Sequence, residues 1–225
     1  MQYKTVTFED VENSLEFQTY IQKGNDLLGV FGFTDHSAGH TKKVAYAASE
    51  MLITMGYPER DAELAKIAGF IHDMGNMVNR VDHAQTGAIM AFHLLSNMGM
   101  HPNEVATVVS AVGNHDEKHG KAIDHISAAL IIADKTDVRR SRVLNKDKNN
   151  FDIHDRVNYA VESATLKIDT RKDHNIIRLI LKIDKNICPV MDYFEIFLDR
   201  MLLCKNAAKF LNGELQLNIN EAKLL

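Results

Sequence analysis

The chain has 225 residues, 45% of them hydrophobic, enough for one sizeable core or a core with a smaller appended unit, which excludes disordered and collagen-like classes. The net charge is −4, the pI is near 6.2, and Lys and Arg are dispersed apart from a cluster near residues 139–148, so the chain lacks the basic footprint of a nucleic-acid binder. Its two cysteines fit neither a disulfide framework nor a zinc spacing, and no stretch reads as a secretory leader or a membrane span, so a cytoplasmic protein with reduced thiols is expected.

In chain order, the first part of the sequence to about Thr136 is helical in pattern, with apolar residues three and four apart. A helix is predicted from His40 to Met55, stopping at Gly56-Tyr57-Pro58, and a second from Glu59 to Met74, stopping at Gly75. Others are predicted from His83 to Ser96, from Pro102 to Asn114 and from Asp124 to Val138. The connections are short, so these helices should pack as one bundle. Residues Arg139 to Asp155 are charged and aperiodic and read as a linker. Beyond them the period changes to two over Ser163–Asp169 and Asn175–Asp184, with a turn over 170–174, which predicts a β-hairpin. An amphipathic helix from Pro189 to Leu211 and a further alternating segment, Glu214 to Asn220, complete a β-β-α-β pattern. The expected fold is therefore mainly α: a helical domain over 1–140, a linker over 141–156, and a small α+β unit over 157–225. That last unit can cover the mouth of a site or pair through its open strand edges in a homodimer.

Histidine is unevenly placed, since nine of the eleven fall between His36 and His125. His40 shares a helical stripe with Val44, Ala47 and Met51; His72 with Ala65 and Ala68; His115 with Val108 and Val112; Asp134 with Leu130 and Ile131. All four polar side chains are thus directed at the core. Unpaired buried polar groups cost roughly 1 to 3 kcal/mol each, so several helices delivering them inward implies a common partner, and a shared cation is the simplest. Imidazole and carboxylate without thiolate suit Mn, Fe, Co, Ni, Zn or Mg. An ion with open positions acidifies water, which suggests hydrolysis. Neighbouring His72 and Asp73, at a helix end, can both converge on an ion just past the terminus.

The order His40, His72-Asp73, Asp134 on successive helices resembles the HD superfamily of metal-dependent phosphohydrolases. "HTKKVAYAA" is similar to its first motif, "IAGFIHDMGN" to its second and "LIIADKTD" to its last, a resemblance spanning about residues 34–140. It implies an all-α HD-type core in which His40, His72, Asp73 and Asp134 hold one cation, with Asp73 bridging to a second ion where there are two. His83-Ala-Gln-Thr-Gly87 and Asn114-His115-Asp116-Glu117 resemble elements of the GYP-type HD enzymes, which makes His83 and His115 candidate ligands of that second ion. Two departures stand out: Asn114 replaces a His of the second element, and Asn76 stands where many of these enzymes have a Lys. The implied function is metal-activated hydrolysis of a phosphomonoester or phosphodiester, with a nucleotide among the candidate substrates. The alternative is a non-catalytic module that binds metal and nucleotide. Asp73 would hold the attacking water; His36, Lys135, Asp137 and His119 are candidate proton donors. Arg139, Arg140 and Arg142 are candidate contacts to substrate phosphate, or a solvated helix end.

Overall fold

The computed structural model describes residues 3–172 and 174–224. The turn predicted over 170–174 includes Asp173, which lies outside the described residues.

Apolar stripes build the first layer. The short α1 (Phe8–Glu12), capped by Thr7, and α2 (Leu15–Val30) contribute Phe8, Val11, Phe17 and Ile21 to the core shared with α3 (Ala38–Thr54) and α4 (Glu59–Ile71). The α3–α4 crossing is close because small residues line it: a Cβ on Gly69 would stand 2.7 Å from the Ala45 Cα. That approach sets the separation of the polar residues that follow on each helix. Three further helices, α5 (His83–Asn97), α6 (Pro102–Gly113) and α7 (His125–Lys135), close the bundle, and Asp124 and Ser127 cap α7 reciprocally.

α4 stops earlier than its apolar pattern predicts. Regular helix ends at Ile71, His72 and Asp73 form the exit, and Met74–Met77 tighten into a 3-10 turn. Gly75 lets the start of α5 pack directly on this turn, since any Cβ there would collide with the His83 carbonyl. The tight exit aims His72 and Asp73 past the helix end into the bundle.

The stretch predicted as a linker is partly helical. After 3-10 turns at Arg140–Arg142 and Lys148–Asn150 the chain forms α8 (Ile153–Ala160), which buries Val157 and Ala160 beneath polar neighbours. Asp152 starts it by accepting from the Asp155 amide at 2.7 Å.

β1 (Val161–Thr170) and β2 (Asn175–Ile183) pair antiparallel as predicted. α9 (Val190–Phe210) then crosses over to β3 (Gly213–Ile219), parallel to β2, and a two-residue β4 (Ala222–Lys223) completes a sheet of order β1-β2-β3-β4. Crossover helices pack on their sheet, and α9 lies against β3 on one side and α7 on the other. The second contact matters most for the site, because α7 ends in Asp134 and Lys135. Among the described residues, no helix is long and apolar enough to cross a membrane.

Candidate metal centre

Five histidines from separate segments meet in the bundle, and each is held by the ring nitrogen that faces away from the others. His72 Nδ1 lies 2.8 Å from the Gly69 carbonyl, His83 Nδ1 3.1 Å from that of Arg80, His115 Nδ1 2.6 Å from that of Val112, and His36 Nδ1 2.5 Å from that of Thr34. His40 Nδ1 is instead 2.8 Å from a carboxylate oxygen of Asp137. An imidazole that donates through Nδ1 presents a lone pair at Nε2, and an outer anchor of this kind is how metal-ligating histidines are usually oriented. All five Nε2 atoms point at Asp73 or Asp134.

Two overlapping sets of ligand atoms result. His40 Nε2 and His72 Nε2 lie 3.4 and 3.6 Å from Asp134 Oδ1, and 3.8 and 3.2 Å from Asp73 Oδ2. On the other side of Asp73, Oδ1 is 3.4 Å from His83 Nε2 and 3.8 Å from His115 Nε2, which are themselves 3.2 Å apart. Asp73 thus faces a different pair of imidazoles with each oxygen. Its own orientation is fixed by Asn76, which donates to Asp73 Oδ1 at 2.9 Å and to its carbonyl at 2.8 Å.

The residues suit a divalent cation. His40 Nε2 and His72 Nε2 are fully buried and lack any hydrogen-bond partner, a cost that coordination removes. Burial alone would lower the His72 pKa, but the Asp73 and Asp134 carboxylates overcome it and raise it to about 10, so their field favours positive charge at that point. Burial pushes His83 down to about 4, which leaves it neutral and able to ligate. Among the described residues, two triads satisfy the spacing for one ion, His40–His72–Asp134 and His72–Asp73–His115, all of them buried.

Beside these ligands lies a small cavity of about 10 Å³, lined by His36, Asp73, Arg80, His83, Asp134, Lys135, Arg142 and Arg200. Burial keeps His36 neutral, well below its ordinary pKa, with Nε2 3.9 Å from Asp73 Oδ2. Lys135 is clamped between Asp134 Oδ2 and Glu117 Oε2, each at 2.8 Å; burial disfavours its charge, but the two carboxylates hold its pKa above the ordinary lysine value, which makes it a charge partner and a poor proton donor. Arg142 is buried and donates to the carbonyls of Asp35 and Asp137, and among the described residues no carboxylate pairs with it.

Other candidates stand elsewhere. Asp137 sits behind His40, accepting also from Lys43 at 2.7 Å and Arg139 at 2.9 Å, and so touches no position open to substrate. Arg139 is occupied by Asp137 and Ser141, Arg140 turns away onto the Tyr159 ring, and His119 is exposed in the loop after α6. Asn114 caps α6 by donating to the Ser110 carbonyl. Sequence reasoning missed Arg80 and Arg200. Arg80 has a local signal, four residues after Asn76, whose side-chain oxygen it contacts at 3.3 Å; Arg200 has none, since α9 is far from the motifs in sequence.

The fold and site thus define a helical domain with buried histidines and carboxylates arranged for divalent metal, joined to a C-terminal α+β unit. Residues 37–139 match the family model described as HD domain. The chain is also similar to an uncharacterised protein of Methanocaldococcus jannaschii, MJ1020, at 24% identity over 71% of this chain and 70% of that one. A solved structure from an uncultured Thermotogales bacterium, titled a "predicted HD superfamily hydrolase", shares 26% identity over 55% of this chain and 67% of its own, with a TM-score of 0.43.

Proposed function

We propose that this protein is a metal-dependent phosphohydrolase acting on a small phosphorylated substrate, a phosphomonoester or phosphodiester that includes nucleotides among its candidates. The observation that carries the reading is the set of five imidazoles anchored by Nδ1 with Nε2 turned onto two carboxylates. His40, His72, Asp73 and Asp134 would hold one ion; Asp73 Oδ1 with His83 and His115 would hold a second. The donor set of nitrogen and carboxylate oxygen suits Mn, Fe, Co, Ni, Zn or Mg. A bound ion of this kind supplies Lewis acidity and acidifies water.

The chain's own residues do the rest. Asn76 fixes the Asp73 carboxylate, and Asp137 fixes the His40 ring. His36, neutral at pH 7 and facing Asp73, can accept a proton from water through Nε2. The buried, carboxylate-free charge of Arg142 calls for an anion, and a phosphoryl group meets that need, with Arg80 at the rim beside Asp73. A non-catalytic module that binds metal and nucleotide would meet the same need, and turnover separates the two.

Asp73→Ala tests the reading. Elemental analysis should find divalent metal in the wild type and at least one ion fewer in the variant. Phosphate release from nucleotides, sugar phosphates and diesters should vanish in the variant, with helical content retained. Wild-type protein loaded with Mn²⁺ and inert against that panel would refute it.

A further inference from the structure

Arg200 enters the cavity from outside the HD domain. It stands on α9, its side chain is about a quarter exposed, and its Nε donates to Glu117 Oε1 at 3.0 Å. Its guanidinium carbon lies 4.8 Å from the centroid of the Phe197 ring, one helical turn earlier, so the plane of the group is supported from beneath. Among the described residues, that Nε–Glu117 bond is the one hydrogen bond the group makes. Both terminal nitrogens are left over, and the side chain lines the same cavity as Asp73, Asp134 and Arg142.

A simple clamp between α9 and the loop after α6 needs only Nε and Glu117. The rest of the network points further. Glu117 Oε2 takes Lys135 Nζ, and Lys135 Nζ reaches Asp134 Oδ2, so alternating charges run from α9 to the metal ligands. Once Asp134 faces a cation, Lys135 and Arg200 share the single carboxylate of Glu117, and Arg142 has none. The surroundings of the cavity then carry an excess of positive charge that a dianion matches; the cavity itself has room for about one water, so the phosphoryl group meets it at the partly exposed Arg200 wall, where the planar guanidinium is pre-oriented.

We propose that Arg200 is a phosphate-binding residue of this site, so that the reaction centre is complete only where α9 packs onto the HD domain. The proposal rests on the phosphohydrolase reading above. It makes the C-terminal unit part of the substrate site, where it selects for a phosphoryl group that can face α9 and α7 together.

The test uses the full chain loaded with Mn²⁺ and inorganic phosphate as the probe, with binding measured by calorimetry. Arg200→Gln and Arg200→Met should keep metal content and fold yet bind phosphate about tenfold more weakly or worse, the scale of a lost hydrogen bond to a charged group. Folded, metal-loaded variants that bind phosphate as the wild type does would reduce Arg200 to a clamp and overturn the proposal. So would a wild type that binds no phosphate. A wild type that binds phosphate through Arg200 but releases none from any ester sinks the hydrolase reading alone. Should both variants fold poorly, phenylglyoxal labelling of the wild type, mapped by peptide mass, decides: phosphate should protect Arg200, and equal labelling with and without it overturns the proposal.

Discussion

Asp137→Asn separates orientation from coordination. The Asp137 carboxylate is buried, 2.8 Å from His40 Nδ1, and asparagine keeps its volume and one acceptor oxygen. What changes is the negative charge behind the ring, which raises the basicity of Nε2 on the far side. Replacing an outer partner of this kind typically costs 10- to 100-fold in metal affinity, about 1.4 to 2.7 kcal/mol. The same substitution weakens pairs with Lys43 and Arg139, which are 48% and 28% exposed. Pairs that exposed are worth roughly 0 to 1 kcal/mol each. In a chain of this size ~1 kcal/mol moves Tm by roughly 2 to 4 °C. Metal titration with a competing chelator should therefore show at least about a tenfold weaker Kd, while the metal-free protein melts within a few degrees of wild type. An unchanged Kd would refute the reasoning, and a large fall in Tm with unchanged Kd would make Asp137 purely structural.

Metal binding should release a proton. The His72 pKa is raised to about 10, so below that pH the metal-free protein carries a proton which the ion must displace, and apparent affinity should rise with pH until about 10; calorimetry in buffers of different ionisation enthalpy checks this, and identical heats would contradict it. Gly69→Ala should destabilise the fold by roughly 1 to 3 kcal/mol despite alanine's better helix propensity, because its Cβ meets the α3 backbone at 2.7 Å. Urea unfolding measures the loss, and a variant as stable as wild type would mean that α3 and α4 part without cost.

The inward residues were legible because helical periodicity fixes direction: His40, His72, His115 and Asp134 each share a stripe with apolar residues, and the structure buries all four. His83 was legible only through resemblance, since it opens α5 with no stripe before it. α8 was hidden because eight residues give barely two turns, and its Asp152 cap and first residues sit in the charged run that ends at Asp155. The placement of Arg80, Arg142 and Arg200 depends on how loops and α9 dock on the bundle, which local pattern does not encode. Arg139 and Arg140, equally basic and adjacent in sequence, are taken up by Asp137 and Tyr159 instead.

The anchors behind the five imidazoles differ in kind. Four are main-chain carbonyls, from Thr34, Gly69, Arg80 and Val112, and no side-chain exchange can delete a carbonyl. Only His40 leans on a side chain. Among the imidazole anchors inheritance therefore has one dial: drift at position 137 can retune the grip on an ion by degrees, whereas drift at the other four anchors leaves the ring geometry where the backbone put it.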